Sequence, residues 1–484
     1  MSQSVDHFAL LPLYAAAGTA ILAFLADLFL ANRTAVLSAT ALGGLATAVL
    51  ALVVGPEPGT FCTTGACSWL PTWPAAVTAA LFAALTVGVL ALSTPALRLG
   101  IAPAGEFCFL LACSMTGGVV IAYAGDLITL IVGLETLTLP LYVLVGLRRF
   151  APGERPTTAG VSASLTFFLI SVVSTAVTLL GAALNYAATG SVHLALLHPA
   201  TGPFRPLAGV GVALLVIGLA FKVAAVPLHA WAPATYDGAP LPVAAYLSTA
   251  SKLGGVLALA AIVARLDARA VMAVLAVLTM TIGNLVALRQ TRMVRLLAWS
   301  SIAQAGYILA ALALGAPGVP AALAYAVLFM VLEFIAFTVV TALRLPGADG
   351  GTILDHRGAA RRNPWPGAAL TLSLAGLAGL PPGLAGLFAK LSVVDVLIRH
   401  HWSWLAAVVV LNAVIALAYY IRVTATLYSL PPRIGMTVAD PALMDAALHP
   451  RLPVSRPVAA TLAVSVAVAI VLGFAPQLLF AALS

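Results

Sequence analysis

Four ionisable residues sit where an apolar chain should not carry them. Glu135 lies in GDLITLIVGLETLTLPLYVLVGL, Lys222 in FKVAAVPLHAW directly after GVGVALLVIGLA, Lys252 in STASKLGG and Lys390 in GLFAKLSVV. The chain has twenty arginines but only three lysines, and all three lysines fall within hydrophobic runs. Each central lysine opposes membrane insertion by about 2.5 to 3.5 kcal/mol, so decoration is a poor explanation. An ammonium can give up its proton when desolvated, whereas a guanidinium cannot, which makes a buried lysine suited to loading and unloading protons. The bland alternative is snorkelling or a structural ion pair. A carboxylate at the depth of Glu135 needs a cation or a proton, and Lys222 is its natural partner.

Other polar residues surround this set. His229 lies two turns past Lys222, where an imidazole could relay protons or simply be a satisfied structural side chain. Glu333 in LFMVLEFIAF is also intramembrane, and Asp395 follows Lys390 on the same run. Asp27, Glu106 and Asp126 fall near span ends, where they solvate or cap helices. Pro227 interrupts one apolar run and the Pro381, Pro382 pair in GLPPGLAG interrupts another, so backbone groups freed there must be satisfied by protein or water.

The elements that must position these groups are membrane helices. The 484 residues are 62% hydrophobic and 8% charged, with mean hydropathy +1.10. Runs long enough to cross roughly 30 Å of hydrocarbon lie at 8–30, 35–54, 75–95, 105–123, 126–147, 160–185, 206–230, 240–264, 268–288, 294–314, 320–345, 367–398, 402–429 and 456–483. The expectation is an all-α polytopic membrane protein of about fourteen spans, the seventh and twelfth discontinuous, with no soluble domain. MSQSVDH lacks the basic start of a secretory signal, and the first run is too long for a cleaved one.

Lys222 and Lys390 both lie near proline in interrupted runs, 168 residues apart (390 less 222). That offset spans five helices, an odd number, which predicts two inverted repeats over 105–264 and 268–429, preceded by helices 1–3 in residues 1–100 and followed by a last helix at 456–483. With the N-terminus outside, fifteen arginines fall on the cytoplasmic side and Arg205, Arg265, Arg269 and Arg399 outside, with Arg422 inside a span. This asymmetry places both termini on the outer side.

The net charge of +8 comes from scattered arginines rather than a basic stripe, which argues against a nucleic-acid partner. Cys62 and Cys67 share a loop, and Cys108 and Cys113 share a span, without metal-ligand spacing. A Cys62–Cys67 disulfide and two free thiols are both open readings. No Walker A loop, dinucleotide fingerprint or HExxH is present, so no metal or cofactor is expected in the chain itself.

The stretches FKVAAVPLHAWAPATYDGAPLPVAAYLSTASK, GDLITLIVGLETLTLPLYVLVGL and RLLAWSSIAQAGYILAAL resemble the antiporter-like membrane subunits of respiratory complex I, and most of all its subunit N. The resemblance runs from the fourth span to the thirteenth. It implies that Glu135 and Lys222 form a coupling pair, that Lys252 is a central relay and that Lys390 belongs to an exit half-channel. It implies proton translocation driven by quinone reduction in partner subunits, which would hold the NADH, flavin, iron-sulfur and quinone sites. The implied partners are the antiporter-like subunit M, small membrane subunits and the lipid of a bacterial plasma membrane. Three positions depart from the family pattern: a sixth-span lysine falls at Leu165, an acid after the WxP segment at Ala234, and a histidine after SSI at Gln304. A subunit of a multi-subunit cation/proton antiporter and a structural membrane subunit without transport are the alternatives.

Overall fold

A computed structural model describes residues 5–30, 32–63, 65–147, 158–430 and 454–483. The arginines expected on the cytoplasmic side at 148, 149, 155, 433 and 451 lie outside the described residues. The chain is a helical bundle. Its first part comprises α1 (Leu11–Leu30), α2 (Arg33–Val54), α3 (Trp73–Arg98), α4 (Ala104–Tyr123), α5 (Leu127–Gly146) and α6 (Thr158–Thr189). There follow α7 (Arg205–Lys222), α8 (Trp231–Gly238), α9 (Leu241–Tyr246), α10 (Lys252–Val263), α11 (Arg269–Ala287), α12 (Met293–Leu312) and α13 (Val319–Ala342). The last part holds α14 (Ala359–Arg362), α15 (Pro364–Ala378), α16 (Leu384–Arg399), α17 (Ser403–Tyr428), α18 (Arg456–Phe474) and α19 (Pro476–Leu483).

Among the described residues, twelve helical segments are long and apolar enough to cross a membrane. The two other expected spans have physical reasons to fall short. α12 is long enough but carries Arg295, Ser300, Ser301 and Gln304, and the run at 367–398 is divided between α15 and α16 at Gly379–Gly383. The last span is shorter than expected: α18 stops at Phe474 because Pro476 lacks an N–H and disfavours helical geometry in the residue before it.

Both expected breaks are present, but not with the geometry read from sequence. α7 ends at Lys222, five residues before Pro227, and the chain turns through Ala224 at φ 58° and a cis Val226–Pro227 peptide before α8 begins. Lys390, in contrast, lies in the second half of its interrupted span, after the break. The two lysines therefore sit on opposite sides of their breaks, so the 168-residue offset does not bring them into equivalent positions. A five-residue π-helical turn, Leu247–Ser251, joins α9 to α10 and sets the face on which Lys252 emerges.

Among the described residues the all-α expectation has one exception, an antiparallel hairpin of β1 (Thr60–Thr63) and β2 (Ala66–Trp69), closed by a Cys62–Cys67 disulfide. Trp69 pairs with Ala124 and Asp126 with His193, so the hairpin, the α4–α5 junction and the segment after α6 share one end of the bundle. Arg292 pairs with Thr352, and the Arg33 guanidinium donates to the Arg98 carbonyl. These loops belong to alternate connections, as an alternating helix order requires. Asp126 caps α5, its carboxylate accepting from the Thr129 N–H at 2.7 Å, as its place at a span end suggests.

The interior belongs to α9–α10 and α13, whose spans are 89% buried, whereas α1 is 22% buried. The functional candidates lie on or against this interior.

Candidate functional site

Glu135 and Lys222 meet. The Lys222 Nζ donates to Glu135 Oε1 at 2.8 Å, to Ser171 Oγ at 3.1 Å and to Thr138 Oγ1 at 3.4 Å, and the Thr175 hydroxyl donates to the same Glu135 oxygen at 2.6 Å. Three helices build the site. α5 supplies Glu135 and, one turn on, Thr138; α6 supplies Ser171 and Thr175, four residues apart on one face; α7 supplies Lys222 in its last turn. A cation is favoured there by the partial negative charge at a helix C-terminus. The Lys222 side chain is 6% exposed and that of Glu135 23%, so the acid lies at the edge of the protein and the base within it.

Lys252 lies behind this pair. A side chain at Gly255, one turn further along α10, would place its Cβ 2.9 Å from the Lys222 Cβ, so only glycine lets the two helices approach this closely. The Lys252 Nζ donates to Ser301 Oγ at 2.6 Å. From the neighbouring Ser300 a chain of polar groups continues: its hydroxyl bonds the Tyr420 hydroxyl at 2.6 Å, and Gln304 Nε2 donates to Tyr420 at 3.0 Å and to the Leu377 carbonyl at 2.9 Å. That carbonyl also accepts from Lys390 Nζ at 2.8 Å, and the Ala378 carbonyl does so at 2.7 Å. Both carbonyls are freed by the break after α15. Among the described residues Lys390 thus has no carboxylate partner in hydrogen-bond contact; it is held by a helix end and by the face of Tyr307, 5.3 Å away. A second cluster adjoins it, in which Asn284 donates to Tyr307 and Asn412 and accepts from Tyr419.

The remaining sequence candidates are placed as follows. His229 is half-buried beside Trp299 and bonds only its own turn, at the Pro227 carbonyl, so it is not joined to Lys222. Asp395 points outward and pairs with Arg399 at 2.8 Å. Leu165 is exposed on α6, away from the hydroxyl face, and Ala234 is exposed on α8. Gln304, in contrast, is central. Pro227, Pro381 and Pro382 lie in the two breaks.

Several participants were not read from sequence. Ser171, Thr175 and Thr138 line the ion pair, and the four-residue spacing on α6 was the available signal. Asp237 on α8 binds Arg292 at 2.8 Å, and Arg292 also binds Asp349 at 2.8 Å, which Arg344 joins at 3.1 Å. These carboxylates hold the Arg292 guanidinium firmly protonated, Asp237 contributing most. The network ties the second half of the broken seventh span to the start of α12.

The bundle with two broken spans and lysines drawn into its interior defines an antiporter-like membrane subunit, and residues 124–416 match the family described as NADH:quinone oxidoreductase/Mrp antiporter, TM. An NADH-quinone oxidoreductase subunit N of Salinispora tropica is 56% identical, aligned over 99% of this chain and 98% of its own. A subunit N 2 of Streptomyces griseus is 42% identical over 93% of this chain and 87% of its own. A chain of respiratory complex I from Thermus thermophilus superposes with TM-score 0.81 at 27% identity, covering 98% of this chain and 99% of that one. A chain of the Mrp complex from Dietzia sp. DQ12-45-1b shares the fold, with TM-score 0.80 at 24% identity over 98% of this chain and 95% of that one. The chain belongs to the NADH-quinone oxidoreductase subunit N family.

Proposed function

We propose that this chain is a proton-translocating subunit of an NADH (or other donor):quinone oxidoreductase, in which protons pass through Glu135, Lys222, Lys252 and Lys390. The observation that carries the reading is the Glu135–Lys222 contact of 2.8 Å, surrounded by hydroxyls rather than by further charge. When the pair closes, the ammonium is stabilised. When it opens, an isolated ammonium in a low-dielectric interior favours loss of its proton. The polar groups from Ser300 to Leu377 lie between Lys252 and Lys390 and offer hydrogen-bond partners to the water that would carry a proton from one to the other.

Quinone reduction in partner subunits drives the cycle, and those partners hold the NADH, flavin, iron-sulfur and quinone sites. The antiporter-like subunit M and small membrane subunits are the neighbours in the bilayer. The repeats at 105–264 and 268–429 are the two halves of the path. The protein resides in a bacterial plasma membrane with both termini on the outer side. The disulfide hairpin supports this orientation, because it lies in a connection assigned to the oxidising side.

The test is Lys222→Ala and Glu135→Gln in the assembled complex. Proton pumping is lost while NADH oxidation and subunit composition persist. A normal proton-to-electron ratio in both variants would refute the relay and leave a structural subunit. Dependence of transport on a sodium gradient would move the chain to cation/proton exchange.

A further inference from the structure

Glu333 is a fully buried carboxyl whose two oxygens have no hydrogen-bond partner among the described residues. It lies midway along α13, whose span is 89% buried. Lys252 on α10, Tyr236 on α8 and Tyr420 on α17 are within its electrostatic reach. The other titratable groups on segments packed against α13 are engaged elsewhere: Tyr246 with Thr86, Tyr325 of α13 itself with Gln304, Tyr307 with Asn284, Asp395 with Arg399, and Lys390 with two carbonyls, while Arg295 lies in the first turn of α12. Arg456 begins α18 at the end of the bundle.

An ionised carboxylate without a hydrogen bond is not tolerated in such surroundings unless a cation answers it, so Glu333 rests as a neutral acid or shares its proton. Lys252 is the complementary group. Among the described residues it uses one of its three donors, on Ser301, which leaves two free.

We propose that Glu333 is a second acid of the relay and exchanges a proton with Lys252. The carboxyl O–H bond breaks as an N–H bond forms on the neutral amine, so acid and amine become carboxylate and ammonium with no change in net charge. The exchange is direct when Lys252 leaves Ser301, or it crosses one water. A second Glu/Lys pair, made by α13 and α10 as the first is made by α5 and α7, then joins the two halves of the path. This inference rests on the proton-translocating reading above.

The test uses the assembled oxidoreductase in sealed vesicles. Glu333→Gln keeps the shape of the side chain and removes its acid. We expect intact assembly, NADH oxidation within about twofold of wild type, and at least a halved number of protons moved per electron. Infrared difference spectra taken on adding NADH should lose a protonated-carboxyl band in Glu333→Gln, and Lys252→Met should shift that band. A purely structural Glu333 would show neither spectral change. If Glu333→Gln does not assemble, Glu333→Asp provides the same readouts, with partial pumping expected. Normal pumping and an unchanged carboxyl band in Glu333→Gln, alongside lost pumping in Glu135→Gln, would overturn the inference and leave the relay standing. Normal pumping in both variants would overturn the relay itself.

Discussion

Removing the charge from Glu135 alone should destabilise the protein more than removing the whole ion pair. Lys222 is 6% exposed and bonds three oxygens, of which only Glu135 is charged. Glu135→Gln keeps an acceptor for Lys222 but leaves a buried ammonium facing neutral groups. Breaking a buried pair this way costs about 3 to 5 kcal/mol. The 23% exposure of Glu135 admits some solvent and places the cost at the lower end, about 3 kcal/mol. That corresponds to roughly a 150-fold shift in a folding equilibrium.

Lys222→Met should cost less, about 2 kcal/mol, because the orphaned carboxylate keeps its Thr175 hydroxyl and can hydrate or protonate at the edge of the bundle. The double variant removes both charges and fills the site with an apolar chain of similar length, so it should return to within about 1 kcal/mol of wild type. Unfolding in mixed micelles titrated with denaturing detergent, extrapolated linearly, measures all three. Additive losses in the double variant would show that the two residues do not form the pair described here, and the argument for charge separation at this site would fall with it.

Three further outcomes follow from the geometry. Gly255→Ala puts a methyl 2.9 Å from the Lys222 Cβ and 3.0 Å from its carbonyl carbon, so α7 and α10 must part at a cost of about 1 to 3 kcal/mol; the same micelle titration checks it, and an unchanged midpoint would mean the helices are not in close contact. Gln304→Leu leaves the hydroxyls of Tyr325 and Tyr420 without their amide partner and removes a polar group from the proposed route to Lys390, so pumping per electron should fall while NADH oxidation persists, as vesicle acidification would record. His356, in the loop before α14, has its protonation pushed below the ordinary value of 6.5 mainly by burial, with Arg344 acting in the same direction and the Thr352 carbonyl against it. At pH 7 this histidine is mainly neutral in both the folded and the unfolded loop, but as pH falls through about 6.5 the unfolded loop takes up a proton first, so the loop loses stability as pH falls toward the depressed value. Protection factors from hydrogen exchange across 343–363, which remove the intrinsic slowing of exchange in acid, should therefore fall between pH 7 and 5 in wild type and stay flat in His356→Gln.

The spans were legible because hydrocarbon thickness imposes a run length that composition displays directly. The breaks were legible as proline and glycine, but their geometry was not. Helix 7 stops at Lys222 rather than at Pro227 because the turn through Ala224 and the Trp231 indole, which donates to the Phe221 carbonyl at 3.1 Å, uses the backbone groups that end the helix. Such a bond joins residues on both sides of a turn, and no local pattern announces it. The four charged candidates stood out against an apolar background. The hydroxyls that serve them did not, since threonine and serine are common in membrane helices and most here bond their own helix, as Thr178 bonds Ser174. Tyr420 and Ser300 meet across 120 residues, so their role follows from packing alone.

The two outer lysines solve the same energetic problem by different means, and the difference follows from the side of the break each occupies. Lys222 ends a half-helix, and one of the carbonyls there, that of Phe221, is engaged by Trp231; its ammonium turns to a carboxylate on another helix. Lys390 follows a break and reaches back to the carbonyls of Leu377 and Ala378 at the negative end of α15. A carboxylate partner binds the ammonium far more tightly than the amine, whereas carbonyl dipoles favour it more weakly and are not consumed by protonation. In the proposed relay, Lys222 then acts as a gate whose proton is released only when Glu135 withdraws, and Lys390 as a station that loads and unloads without a partner moving. A carboxylate introduced beside Lys390, as in Ala378→Glu, should convert the station into a gate and slow proton passage while leaving the Glu135–Lys222 contact intact. Unchanged transport in that variant would mean that the carbonyl cradle does not set the protonation of Lys390.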